Sequence, residues 1–438
     1  MIETLKNAFR NKDIRKKILI TLLLLLLFRV GCYIPVPGIS HTAFEGAING
    51  NEFLQLMSGI TGNALEQATL FALGIGPYIN ATIIIQLLTV GIPALERLSK
   101  QGEEGRKKIT KITRILTIIL ALVQSIGVIV LFANNKDAIN TNLFFANAIG
   151  ENSAKWVAGV FMTIVYTAGA MLVMWIGERI TDHGIGNGIS MVIFIGIIST
   201  AGTSILQKFI HIKKNGVGQT FLEVGLFIVL AVIIFFAIVF VDLAERKIPV
   251  NYAKQVRGTK MYGGQSSVIP MKITGSGVMP LIFSFAILSF PNMIMSLVPQ
   301  WESALNWWTG HFSNGTPWYI IVLCVLIFVF SFFYAQIEFN PEDVSKSIQQ
   351  NGGFIQGIRP GKPTAAYLKK IHRRITLFGA IFLTLVAFIP SIAFSWASYD
   401  LVNVFSTTGI LIVVSVALEF DKQLQSQIMM KNYKGFLK

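Results

Sequence analysis

Residues 58–88 read SGITGNALEQATLFALGIGPYINATIIIQLL, and the two halves of this stretch make opposite demands on their surroundings. The second half is apolar enough to enter a bilayer. The first is short and half polar, and Gly74, Gly76 and Pro77 join the two. Asn63 followed by Glu66 fits a helix N-cap with an acidic third residue, so the spacing predicts a helix from 64 to about 73. At about 1.5 Å per residue such a helix covers roughly 15 Å, about half the hydrocarbon thickness of a bilayer. It can enter a membrane without crossing it, and its open backbone ends must be sheltered by protein or face a watery cavity. Beyond the break, Ile75, Ile79 and Ile83 share one helix face. Asn80 adds a carboxamide to an apolar run, where it needs a polar partner on another helix.

The rest of the chain explains why a membrane is at issue. Its 438 residues are 53% hydrophobic and 13% charged, with a mean hydropathy of +0.62, which excludes an ordinary soluble globular class. Runs with the roughly 20 apolar residues a spanning helix needs recur near 18–37, 73–93, 115–133, 156–176, 185–205, 221–241, 278–299, 318–337, 375–395 and 401–418. The expected fold is therefore an all-α polytopic membrane protein of about ten transmembrane helices. The first run is too long, and too lacking in a small-residue cleavage site, for a removable signal peptide.

Charge sets the orientation. Lys and Arg crowd segments 1–17, 97–114, 246–272, 346–374 and 422–438, with Arg179 in the remaining connection of that side. The alternate connections carry only Lys136, Lys155, Lys208, Lys213 and Lys214. Basic residues are held on the cytoplasmic side, so both termini are expected there, and the net charge of +15 is gathered on one face. Anionic headgroups account for part of that surplus. Cys32 and Cys324 both fall inside apolar runs, as small packing residues, and no disulfide or metal spacing is visible.

Two cytoplasmic connections are long, near 243–276 and 338–374. In the first, alternation around 248–256 and 261–271 flanks a Gly-containing turn and predicts a protruding hairpin. In the second, 341–350 reads as helix, 351–363 as a Gly/Pro-rich tip and 364–374 as helix again. Clustered Lys and Arg on such loops suit an acidic partner or RNA phosphates. The ten runs divide into five and five, 1–215 and 216–438, an arrangement that permits an inverted repeat.

Enzyme chemistry finds no support. The chain has no G-x-x-x-x-G-K-[ST] phosphate loop, no H-E-x-x-H and no cluster of His and carboxylates within the runs. Arg29 is the one ionisable residue well inside an apolar run, placed either at a helix interface or reaching for a boundary. No cofactor is expected.

Eight stretches go further than periodicity. FRVGCYIPVPGI (28–39), FALGIGPYINATIIIQLLT (71–89), GEEGRKKITKITR (102–114), ITDHGIGNGIS (180–190), VNYAKQ (250–255), GVMPLIF (277–283), FNPEDV (339–344) and GIRPGKPTAAYL (357–368) resemble, in order and spacing, the SecY family of bacterial protein-translocase channel subunits. The resemblance implies a protein-conducting channel in the bacterial cytoplasmic membrane, with two inverted halves of five spans around an hourglass pore. It implies that the segment near 58–72 is a plug, with Asn63, Ala64, Leu65, Glu66, Gln67, Ala68, Thr69 and Leu70 at its centre. Ile75, Ile79, Ile193, Ile282 and Ile412 match the constriction ring, a set of branched aliphatic side chains suited to excluding water. Asn80, Gln124 and Phe290 match the lateral gate through which apolar signal sequences reach the membrane lipids. Lys254, Arg257, Lys260 and Arg359 match the docking surface for the ribosome and the motor ATPase SecA, although Thr259 stands where relatives commonly carry a basic residue. Partner subunits SecE and SecG are implied. The alternative reading is an inverted-repeat secondary transporter with a discontinuous helix, which predicts charged groups at mid-membrane.

Overall fold

In a computed structural model, the structure describes residues 9, 11–39, 58, 61–133, 151–210, 217–252, 255–257, 260–262, 266–273, 275, 279–297, 301–312, 316–397 and 407–435. The helices in chain order are α1 (Lys12–Gly31), α2 (Gly76–Gly91), α3 (Pro93–Ser99), α4 (Glu103–Ala133), α5 (Glu151–His183), α6 (Gly188–Ile210) and α7 (Val217–Leu243). After the first long connection come α8 (Met279–Leu297), α9 (Glu302–Phe312), α10 (Pro317–Glu338), α11 (Pro341–Gln350), α12 (Lys362–Ala397) and α13 (Thr407–Gly435). Each of the ten apolar runs overlaps one of these helices. Four of the described helices are long and apolar enough to cross a membrane, or five if α2 and α3, bent by 106°, form one broken span. The bend falls at Ile92, whose extended backbone precedes Pro93, as expected for a residue before proline.

Large apolar side chains stay exposed in numbers that water would not tolerate. On α1, Leu19, Leu22, Leu23, Leu26, Leu27 and Val30 form one exposed stripe, while Ile14, Ile18, Leu25 and Phe28 of the same helix are buried. One face is thus packed on protein and the other is suited to lipid, the signature of a membrane protein.

The chain forms two compact units, Met1–Leu226 with Leu288–Asn314 and Tyr399–Lys438, and Phe227–Ile287 with Gly315–Ser398. In the first, α4 packs between α2 and α5, α5 packs on α1 and α6, and α6 packs on α13. Glycines set the close approaches: a side chain on Gly188 would strike the Gly177 carbonyl, and one on Gly169 the Leu70 carbonyl. Small residues at helix contacts are the usual device where lipid removes the hydrophobic drive. The ITDHGIGNGIS stretch is the α5–α6 turn. Its Gly186 has φ +90°, Thr181 Oγ1 accepts from Gly188 N at 2.9 Å, and Ile185 N donates to Thr21 Oγ1 at 3.1 Å, which ties the turn to α1.

In the second unit the two long connections form one small domain. Strand β1 (Glu245–Tyr252) pairs antiparallel with β4 (Ser266–Lys272), and β2 (Gln255–Arg257) with β3 (Lys260–Tyr262) extends the hairpin. Strand β5 (Gly353–Phe354), from the other connection, pairs on the free edge of β1, giving the order β4-β1-β5. Beneath the sheet lie Ile248, Val250, Met271, Ile348, Ile355, Leu368 and Ile371. Helix α11 starts as its sequence dictates: Asn340 Oδ1 accepts from Glu342 N at 3.1 Å, Pro341 occupies the first turn, and Glu342 and Asp343 face the positive helix end. The hairpin and both helices agree with expectation; the pairing of the two connections was not legible in advance.

Candidate functional site

The segment between α1 and α2 is where the fold departs from ordinary helix packing. The expected helix over 64–73 is absent: residues 62–75 form successive turns. Asn63 is not an N-cap. Its φ is +65°, Gly62 before it has φ +72°, and Asn63 N donates to the Ser58 carbonyl at 2.9 Å, so Gly62 and Asn63 end a turn begun at Ser58. One turn later Ala68 is also left-handed, with φ +49°, a conformation that costs a non-glycine residue roughly 1–2 kcal/mol. Two bonds across to the end of α1 repay it. Val36 N donates to the Ala68 carbonyl at 3.1 Å and Leu70 N to the Ile34 carbonyl at 2.9 Å, with Pro35 and Thr69 forming the bridge between them. A continuous helix would point these groups along its own axis, so helix and bridge exclude each other.

The segment is nonetheless deeply seated. Ala64, Leu65, Ala68, Thr69, Ala72 and Leu73 are buried, while Asn63, Glu66 and Leu70 are partly so and Gln67 is exposed. Leu65, Ala68, Ala72 and Leu73 share one core with Ala121 and Val128 of α4 and with Met162, Tyr166 and Ala170 of α5. Within that core the Tyr166 hydroxyl has no hydrogen-bond partner among the described residues, and neither does Ser58 Oγ.

Residues of the first helix close around it. The Phe28 and Phe71 rings stack, and a side chain on Gly31 would collide with Phe71. Arg29 Nη1 donates to the Gly62 carbonyl at 3.0 Å and Nη2 to the Tyr33 hydroxyl at 2.9 Å, with the guanidinium 4.7 Å from the Tyr33 ring centroid. Of the two placements considered for Arg29, the interface is the one observed. These contacts give FRVGCYIPVPGI a physical role: it clasps the turn segment. A lone Arg in an apolar run was the only signal in the sequence, and it did not name its partner.

At the far end Gly74 has φ +52° and donates its N–H to the Phe71 carbonyl at 2.8 Å. Ile75 then caps α2, with Pro77 in the first turn, and Ile79 N donates to the Ile75 carbonyl at 3.1 Å. Ile75 is 3% exposed, Ile193 on α6 3% and Ile412 on α13 8%; Ile79 is half-buried. All four belong to the first unit. Ile282 is half-buried on α8 in the second unit, beside the core made where Phe283 packs edge-on to Phe330 and Tyr334. Asn80 is half-buried on α2. Gln124 is buried on α4, which packs on α2, and its amide nitrogen has no partner among the described residues. Phe290 lies on α8, and its side chain is outside the described residues.

The basic candidates sit on the small domain. Arg359 is exposed at the turn leading into α12, where its carbonyl accepts from Thr364 Oγ1 at 2.8 Å, and Ser345 Oγ of α11 holds the Gly361 carbonyl at 2.7 Å. Arg257 and Lys260 face each other in register on β2 and β3; their side chains, like Lys254 altogether, are outside the described residues. No group of metal-binding side chains occurs among the described residues.

The SecY family model matches residues 69–420. The chain is 40% identical over 445 residues to the protein translocase subunit SecY of Streptomyces coelicolor, with 100% of both chains covered. Among solved structures it is similar to a SecY channel whose plug domain stabilises the closed state and maintains a membrane seal, at TM-score 0.66 and 19% identity, covering 94% of this chain and 92% of that one. It is also similar to Sec61 in the canine ribosome-channel complex from the endoplasmic reticulum, at TM-score 0.63 and 20% identity, with the same coverage. A buried turn segment between the first two long helices, a fold shared with these channels and identity running the length of the chain together show that the chain belongs to the SecY family of protein translocase subunits.

Proposed function

We propose that the chain is the protein-conducting channel of a Sec translocon, passing unfolded secretory polypeptides across the bacterial cytoplasmic membrane and releasing apolar segments sideways into lipid. The observation that carries this reading is the turn segment 62–75, which fills a core yet has no regular structure of its own and leans on α1 through a handful of bonds. An element built this way can leave its seat without unfolding a helix, as a plug must. Ile75, Ile79, Ile193 and Ile412 of the first unit and Ile282 of the second are assigned to the constriction by the family resemblance, a role that suits branched aliphatic side chains because they exclude water and deform around a passing chain. Asn80, Gln124 and Phe290 lie at the lateral gate; the buried Gln124 amide nitrogen, without a partner among the described residues, marks a polar position in an otherwise apolar seam.

The chain has two halves of five spans, 1–215 and 216–438, with both termini in the cytoplasm, as the distribution of Lys and Arg supports. SecE and SecG complete the channel. SecA or a translating ribosome docks on the small domain through Lys254, Arg257, Lys260 and Arg359 and supplies the energy, since the sequence offers no nucleotide site. The transporter alternative fares worse: among the described residues no Asp, Glu, Lys or Arg is buried, whereas coupled transport runs on buried charge.

The test is reconstitution in vesicles with the copurifying subunits, SecA and ATP. A signal-bearing polypeptide should become protected from added protease. A polypeptide that stays fully digestible while a small solute accumulates would replace the channel with a transporter.

A further inference from the structure

We propose that Arg29 is the positioning residue that latches the plug, holding the Gly62 turn to α1 and setting how often the segment leaves its seat. The proposal rests on the channel reading above and goes beyond it by assigning the closed state to one side chain. The Gly62 carbonyl lies in the turn that runs from Ser58 to Asn63, and Arg29 reaches it from α1, donating at 3.0 Å. The fit leaves no latitude: a Cβ on Gly62 would lie 2.6 Å from Arg29 Nη1 and 3.3 Å from the Gly196 backbone of α6, at a φ of +72° that disfavours any side chain. Glycine is required there by the latch as well as by the turn.

The rest of the guanidinium explains why the latch is reversible. Arg29 keeps its second hydrogen bond and its ring contact with Tyr33, four residues on in its own chain segment. These survive when Gly62 departs, so opening does not strand a bare charge. Among the described residues no carboxylate pairs with Arg29, so its own hold on the plug is one charge-assisted bond to a backbone atom, added to the Pro35–Thr69 bridge and the Phe28–Phe71 stack. Losing such a bond shifts an equilibrium by roughly ten- to a hundredfold.

The test uses the full chain in native membrane vesicles, with Cys32 and Cys324 replaced by Ala and Thr69→Cys as a reporter. Thr69 is 1% exposed in the seated segment, so its reaction with a membrane-impermeant maleimide measures plug departure whether or not the channel transports. Arg29→Gln should raise the labelling rate roughly ten- to a hundredfold. Arg29→Lys, which keeps the charge and one donor, should fall between, and Tyr33→Phe, which leaves the Gly62 bond in place, should stay within about threefold of the parent. Equal labelling in Arg29→Gln and parent overturns the latch. So does a rise as large in Arg29→Lys or in Tyr33→Phe, which would signal general loosening of the fold. Raised labelling in vesicles that never protect a polypeptide would leave the latch standing and sink the channel reading instead.

Discussion

The rings of Phe28 and Phe71 stack with centroids 5.9 Å apart and planes 7° from parallel. They join α1 to the turn segment over Gly31, where a side chain would collide with the Phe71 ring. Gly31→Val should therefore unseat the segment while leaving α1 intact. The expected result is a sealed channel turned leaky, read as ion flux through reconstituted vesicles, at unchanged protein abundance. Phe71→Ala should weaken the same contact by about 3 kcal/mol or more and give the same leak.

Tyr166 points the other way. Tyr166 shares one core with Leu65 and Ala68 of the segment, and its buried hydroxyl has no partner among the described residues; an unsatisfied buried hydroxyl costs about 1–3 kcal/mol. Tyr166→Phe should then stabilise the seated segment. Maleimide labelling of a cysteine at Thr69 should slow severalfold, and translocation should become slower to start; faster labelling would show that the hydroxyl supports the seat.

The proposed constriction residues carry a graded prediction. Ile193→Asn or Ile75→Asn places a carboxamide at a narrow apolar surface and should raise resting ion conductance at least tenfold, whereas Ile193→Val should leave it near the parent value. Because Ile75 is buried next to Gly74 at the start of α2, burying a carboxamide there in Ile75→Asn should also loosen the hinge at Gly74 and affect labelling at Thr69; Ile193→Asn should not.

The proposed docking surface can be tested apart from conduction in the second unit. Arg359 is exposed on a turn braced from α11, so Arg359→Glu should abolish SecA-driven transport without changing thermal stability. Val250 is 0% exposed under the sheet, and Val250→Asp buries a charge there, which should unfold the small domain and abolish the same transport with a loss of stability. Equal melting with equal loss of transport would mean that Val250 takes part in docking itself.

These elements also show which features a sequence can express. Apolar runs and their helices, the Asn340 cap, Pro77 in the first turn of α2 and the β1–β4 hairpin all depend on neighbours within one or two turns of chain, and all were legible. The plug and the ring are assignments that the SecY resemblance implies and that spacing could not name. What escaped were pairings between distant backbone groups. Ala68 is left-handed because residues 34–36 offer it a partner, and β5 is a strand of two residues because β1 has a free edge beside Asn251 and Tyr252. Neither has a periodicity of its own. Asn63 was misread as a cap for the same reason: Asn is favoured both at helix starts and in left-handed turns, and only the Ser58 carbonyl decides between them.

The most direct measurement joins the segment to its clasp. Pro35 and Thr69 face each other across the bridge, at a separation an antiparallel pair makes compatible with a disulfide. In a chain with Cys32 and Cys324 replaced by Ala, Pro35→Cys with Thr69→Cys should block polypeptide translocation into vesicles when oxidised and restore it on reduction, with each single substitution active in both conditions. Full translocation by the oxidised, demonstrably crosslinked channel would contradict the account, because the segment would then have no need to leave.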